Sequence, residues 1–557
     1  LLAIAAQSAA SDLFENEVPE GQRVIMIEIK LGSVQDLPIA EFESLLGRDN
    51  VIVDAAECAF FSTDVYRRAD VDAVLVLRPG SVDELSATAQ LCTTYGLTMV
   101  PRGGGLSYTG GFLPVKARSV VIDMQRLNQI IEINSTDMFV TVECGTTWKS
   151  LYEKLRPLGL RTPYFGPMSG YGSTVGGGLS QGSIFLGSTQ FGTTADSVLS
   201  IDVVLADGTI LKTGSAGGAI GNPGPFMRHY GPDLTGLFLH DAGAFGFKAR
   251  ATLRLIKTPR HTGFVSFTFT NAANLLTAMS EVSRSGLAAE CFGADPYIWG
   301  MRLWDSDLSR DISRVIGVAK SGRTTLGGIK DAVRMAVTGR NALKDVEYAM
   351  NVAVDGETEA EVDFAIKTIR AMAERTGREI EATVPRAVRG NPFLPPNDIL
   401  GPNGQRWAPS HGIAPHSRVV GMVEALTAFF AERADILDLH HIEWGYVTFA
   451  ISTNAILVEP MLYWPDAREA YHERMIEPAH LAKLPRLAPA PDTAAVMAKI
   501  RSDLSEFWMQ QGCAHLQIGK TYRYLESRTL PVRSLIEEIK AAVDPAGLMN
   551  PGALGLM

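Results

Sequence analysis

The chain has 557 residues, 46% hydrophobic and 20% charged, an ordinary globular composition long enough for two or more large cores. A formal net charge of -10 argues against a nucleic-acid binder, because neutralising phosphates needs a clustered excess of Lys and Arg. Five widely spaced cysteines, Cys58, Cys92, Cys144, Cys291 and Cys513, suggest neither a disulfide framework nor a zinc knuckle, and there is no Cys-x-x-Cys-His for a c-type haem.

In chain order, the apolar stretch of small residues from Leu1 to Ala10 reads as a signal-peptide remnant or a docking helix. A cytoplasmic location is expected, or a periplasmic one if that stretch is a signal remnant. Ala73 to Leu77 reads as a strand and Ser81 to Tyr95 as a helix, with Ser81 and Glu84 as a capping box and Gly96 as its left-handed stop. The strand Leu97 to Val100 then delivers Pro101-Arg102-Gly103-Gly104-Gly105-Leu106-Ser107-Tyr108-Thr109-Gly110-Gly111. Glycines this dense let backbone N–H groups converge and a ligand approach closely, as a phosphate cradle requires. Tyr108 stands where a dinucleotide fingerprint needs Gly, and no Gly-Lys-Ser/Thr follows, so neither common phosphate loop fits. The strand Val120 to Asp123 comes next instead of a helix.

Further on, Phe139 to Val142 reads as a strand and Trp148 to Arg156 as a helix that Pro157 ends. A second glycine cluster runs from Gly170 to Gly178. Ile201 to Leu205 and Thr209 to Leu211 form a hairpin across Asp207-Gly208, and Ala251 to Ile256 is the last strand before Pro259. Residues 261–500 change character: a helix from Glu357 to Thr376 ended by Gly377, strands Tyr446 to Ser452 and Ile456 to Tyr463, and a Pro-rich loop from Asn391 to Gly404. Helices Thr493 to Gln511 and Pro531 to Val543 close the chain.

The two glycine clusters, with Gly231-Pro232-Asp233-Leu234-Thr235-Gly236-Leu237-Phe238, Asp241-Ala242-Gly243-Ala244-Phe245-Gly246-Phe247 and the C-terminal Asn550-Pro551-Gly552, resemble the flavin domain of the vanillyl-alcohol oxidase and p-cresol methylhydroxylase superfamily. The resemblance implies an α+β fold. It comprises an N-terminal extension (1–64), a PCMH-type FAD-binding domain (65–260), an α+β cap or substrate domain with an antiparallel sheet (261–499), and a segment returning to the FAD domain (500–557). FAD is the implied cofactor, held by Pro101, Arg102, Gly103, Gly104, Gly105, Leu106 and Ser107 of the first loop and by Pro167, Met168, Ser169, Gly172, Ser173, Thr174, Gly176 and Gly177 of the second. Gly243, Phe247 and Asn550 complete the set.

Leu106 occupies the place where some members carry a flavin-linked His, so His411 in the cap becomes the candidate for attachment or for a hydrogen-bonded role. Tyr108, Tyr522 and Arg523 resemble the two tyrosines and one arginine with which phenol-oxidising members hold a phenolate. Met168 stands where vanillyl-alcohol oxidase has an assisting carboxylate. The implied reaction is hydride transfer from a para-substituted phenol or aromatic alcohol to flavin N5. The alternatives are a D-2-hydroxy-acid dehydrogenase or oxidase, in which Arg523 grips a carboxylate and His515 or His411 takes the proton, and a non-catalytic flavin-fold binding protein. The acceptor is oxygen, a cytochrome or a quinone, and a homo-oligomer is expected. No metal is expected, since a strand would put His441 and Glu443 on one face without His440, and two ligands are too few for zinc.

Overall fold

The computed structural model describes residues 37–221, 224–304 and 346–557. The stretch Leu1 to Ala10 lies outside them. Four short strands, β1 (Val51–Ile52), β2 (Leu75–Leu77), β3 (Thr98–Arg102) and β4 (Ser119–Asp123), form a sheet in the order β1-β2-β4-β3. β2 and β3 both run parallel to β4, joined by the helix Val82–Thr94. Ser81 caps that helix by accepting from Glu84 N at 3.1 Å, while the Glu84 carboxylate accepts from Gly80 N, one residue earlier than a strict capping box has it. Gly96 adopts φ +60°, the left-handed stop expected of it.

A second sheet is antiparallel and five-stranded: β5 (Ile130–Asn134), β6 (Phe139–Glu143), β7 (Val198–Val204), β8 (Ile210–Lys212) and β9 (Phe247–Arg254), in the order β5-β6-β9-β7-β8. Gly208 turns the β7–β8 hairpin at φ +87°. The helix Trp148–Leu155 does not stop at Pro157 but tightens into a 3₁₀ turn, Arg156–Leu158, since a proline early in a new turn gives up no needed N–H.

The cap is built on eight antiparallel strands: β10 (His261–Phe269), β11 (Glu290–Ala294), β12 (Tyr348–Gly356), β13 (Gly377–Ile380), β14 (Arg406–Pro409), β15 (Gly412–Pro415), β16 (Glu443–Ile451) and β17 (Ala455–Trp464). Their order is β13-β10-β12-β11-β16-β17-β14, with β15 also paired to β17. The helix Glu359–Ala373 ends before Gly377, which opens β13 instead of stopping the helix. His440 closes the helix Ala434–Leu439, and His441 has φ +51°, so only Glu443 of that trio reaches a strand. No group of three metal-ligating side chains occurs among the described residues.

One apolar core runs without a break from Val140 and Val142 beneath the five-stranded sheet to Phe267, Met350 and Leu462 in the cap. The two domains therefore hold each other in a fixed relation. The helix Pro491–Gln510 spans the 499/500 boundary, and the chain then returns: Met99 N donates to Leu548 O at 2.7 Å, and Asn550 N donates to Met99 O at 2.8 Å. No helix among the described residues is long and apolar enough to cross a membrane.

Candidate active site

The two glycine clusters face each other across a cleft. Its walls include Pro101 through Ser107, Pro167, Ser169, Ser173, Thr174, Gly176, Gly177 and Phe247. The glycines are required by contact. A Cβ on Gly103 would lie 2.3 Å from Thr174 Oγ1, and one on Gly104 would lie 2.0 Å from the Gly172 carbonyl oxygen. The second cluster opens the helix Val175–Gln181, and Thr174 caps it by accepting from Gly177 N at 3.1 Å.

Several polar atoms at the cleft are buried without a protein partner: Arg102 Nε and Nη2, Ser173 Oγ and Gln181 Oε1. Buried polar groups are normally satisfied, so this set is what a polar ligand entering the cleft would complete. A dinucleotide with a diphosphate between two close-packed loops fits both observations.

Four expected contacts differ. Met168 is 54% exposed and does not line the cleft, because its short 3₁₀ turn points it to solvent. Gly172 sits behind Gly104, and Gly243, at φ +72°, packs against Pro101. Asn550 acts as a clamp: its side-chain amide donates to Gly111 O at 2.8 Å and Ala242 O at 2.6 Å. Asn550 thus ties the first loop to the Ala242 turn from outside the cleft. Lining residues that sequence reasoning missed include Cys144, Gln181, Lys248 and Gln517.

Gln517 leads from the cleft into a second constellation. Its Nε2 donates to the Tyr108 hydroxyl at 2.8 Å, and that hydroxyl donates to Glu459 Oε1, also at 2.8 Å. Glu459 stands 3.8 Å from His411 Nδ1, and the same Nδ1 is 3.2 Å from the Tyr522 hydroxyl, which accepts from His411 N at 2.7 Å. His515 stacks on Tyr522 with centroids 4.1 Å apart and holds the His411 carbonyl through Nδ1 at 2.9 Å. Trp407 packs edge-on to Tyr108, and Ile399 and Leu400 of the Pro-rich loop join the same cluster, which places that loop beside the site.

Burial, followed by the Glu459 charge, holds the Tyr108 phenol well above its ordinary range. Burial pushes Tyr522 up to about 12. It also pulls His411 down to about 3, with His515 adding to the effect, and His515 down to about 4. Both tyrosines are thus protonated donors and both histidines neutral near pH 7.

Arg523 is not in this group. Although adjacent to Tyr522, it points outward and pairs with Glu506 at 3.6 Å and Glu526 at 3.5 Å. The cation that does reach the cluster is Arg501, which donates to the Pro409 and Tyr108 carbonyls, both at 2.8 Å. His411 does not line the cleft, and both ring nitrogens are engaged: Nε2 meets the Leu516 backbone at 2.8 Å, and Nδ1 meets Tyr522. Its geometry is that of a hydrogen-bonded residue, not a flavin attachment point.

A cleft walled by the two glycine clusters of the first domain and by Gln517 of the returning segment is where an FAD-binding protein of this fold would hold its cofactor. Residues 73–214 match the family model described as FAD binding domain. The chain is 30% identical over 251 residues to a probable mitochondrial D-lactate dehydrogenase of Danio rerio (45% of this chain, 48% of that one). It is 32% identical over 185 residues to a glycolate oxidase subunit of Bacillus subtilis (33% and 37%). It spans about half or less of the length of these curated relatives.

Its fold matches p-cresol methylhydroxylase with substrate bound at TM-score 0.67 and 18% identity, covering 93% of this chain and 96% of that one. The isoeugenol complex of 4-ethylphenol oxidase from Gulosibacter chungangensis matches at 0.66 and 18%, with the same coverage. Residues 73–214 thus carry an FAD binding domain, and the chain as a whole has the fold of p-cresol methylhydroxylase.

Proposed function

We propose that this protein is an FAD-dependent oxidoreductase that oxidises an uncharged hydroxylated substrate, a para-substituted phenol or an aromatic alcohol. The observation that carries the reading is the chain of contacts from the FAD cleft through Gln517 and Tyr108 to the Glu459 carboxylate. FAD, when bound, supplies the acceptor for the hydride that leaves carbon.

The protein's own residues then handle the proton. Glu459, 14% exposed at its side chain, is the base that receives the substrate hydroxyl proton. Tyr108 and Tyr522 stay protonated, and once Glu459 has taken the substrate proton it no longer needs the Tyr108 O–H, which is then free to turn to the developing oxyanion. His411, neutral, holds Tyr522 in place. Trp407, Ile399 and Leu400 supply an apolar wall against water.

A second reading, oxidation of a D-2-hydroxy acid, is favoured by the names of the sequence relatives. It asks for a cation free to grip a carboxylate. Arg523 is paired outside the site, Arg501 is committed to backbone carbonyls, and Glu459 would repel the anion. The test is anaerobic mixing of the FAD-loaded protein with a 4-alkylphenol and, separately, with D-lactate. Bleaching of the flavin by the phenol alone supports the first reading, and bleaching by D-lactate alone replaces it with the second. The expected electron acceptors remain oxygen, a cytochrome or a quinone, and the expected assembly a homo-oligomer.

A further inference from the structure

Arg102 ends β3 directly beneath the first glycine loop and is 2% exposed. Its guanidinium lies among three aromatic rings, 5.3 Å from the Phe60 centroid, 4.6 Å from Phe61 and 5.3 Å from Phe112. Nε and Nη2 have no hydrogen-bond partner, and among the described residues no carboxylate forms an ion pair with it. The carboxylates on either side are engaged elsewhere. Asp123, its partner across β4, accepts from Arg78 Nε at 3.2 Å and from Gln125 N at 3.1 Å, and Asp64 accepts from the backbone of Tyr66, Arg67 and Gly110.

A buried charge without a counter-ion is costly, and aromatic faces offset only part of that cost. Burial accordingly lowers the affinity of this guanidinium for its proton. Nη2 lies 2.3 Å from where a Cβ on Gly105 would stand, so the loop backbone rests on the cation. Arg102, Gly105 and Phe112 all line the cleft.

We propose that Arg102 is the counter-charge of the FAD diphosphate: a cation held unpaired under the cradle, whose partner arrives with the cofactor. The proposal rests on the FAD reading and adds to it, because backbone N–H groups alone leave the two negative charges of a diphosphate uncompensated. It also predicts an inversion that a packing role would not give. Removing the charge should relieve the FAD-free chain while weakening the FAD-bound one.

The test uses the full chain, freed of FAD, as wild type, Arg102→Met and Arg102→Lys. FAD affinity is read by flavin fluorescence, and melting temperature is read with and without FAD. Arg102→Met should bind FAD roughly 30-fold or more weakly, the loss of one close charge pair in a partly buried setting. Arg102→Lys should stay within about fivefold, because it keeps the charge. Without FAD, Arg102→Met should melt at or above the wild type. An Arg102→Met chain that binds FAD as tightly as wild type, or that melts lower without FAD, overturns the proposal. Wild-type chain that takes up no FAD overturns the FAD reading itself, and this proposal with it.

Discussion

The Tyr108 hydroxyl donates to Glu459 Oε1 at 2.8 Å, joining the end of the first glycine loop to the middle of a cap strand 351 residues further along the chain. With the Gln517 donation to the same hydroxyl, the contact ties a cap carboxylate by two hydrogen bonds to a residue that lines the cleft.

Gly104→Ala should remove the cofactor. Its Cβ would meet the Gly172 carbonyl at 2.0 Å, and the obstacle is backbone, which cannot swing aside as a side chain can. Purified Gly104→Ala protein is expected to carry less than about a tenth of the wild-type FAD per chain, measured by absorbance after denaturation.

Arg523→Ala should leave flavin reduction within about twofold of wild type, because a solvent-facing ion pair contributes little. Stopped-flow reduction at matched FAD content checks this. A tenfold loss would place Arg523 in the site after all.

Tyr522→Phe removes the acceptor of the His411 N–H and strands a buried donor. The variant should lose about 1–3 kcal/mol of stability in equilibrium denaturation. Tyr522→Phe protein as stable as wild type would mean that another group accepts that N–H.

Stability should fall on acidification below about pH 6.5. His411 and His472 are pulled down to about 3 and His515 to about 4, each mainly by burial. Between those values and 6.5 the unfolded chain binds protons that the native chain refuses, so stability rises with pH there and is fully present above 6.5. Each histidine contributes a slope of about 1.4 kcal/mol per pH unit. His472→Asn, which can keep the contact to Glu469 N through its amide oxygen, should flatten the acid limb by one histidine's share. An unchanged slope in denaturation curves across this range would contradict the assignment.

Much of the flavin half was legible in the sequence because its signals are local. Gly96 and Gly208 stand at positive φ where a stop and a hairpin turn were expected, and Gly103 to Gly105 face Ser173 and Thr174 as a cradle should. What escaped depends on contacts between distant segments. Tyr522 and Arg523 are neighbours in sequence, yet one turns inward and the other to solvent, and no local pattern decides which.

Glu459 did leave a sign. It is the one acidic residue inside the apolar strand Ala455–Trp464, and a carboxylate in such a run needs a partner or a purpose. Gln517, at φ +47° in an irregular turn, left none. His441 and Glu443 failed as a same-face pair because the chain turns between them before the strand begins.

The most direct measurement is the rate at which a 4-alkylphenol bleaches the flavin of wild-type and Glu459→Gln protein under anaerobic conditions. The wild type should be reduced, and the variant about 10²–10⁴-fold more slowly at equal FAD content, the usual contribution of a positioned base. Equal rates in the two proteins, or a wild type reduced by D-lactate and untouched by the phenol, would contradict the proposed function.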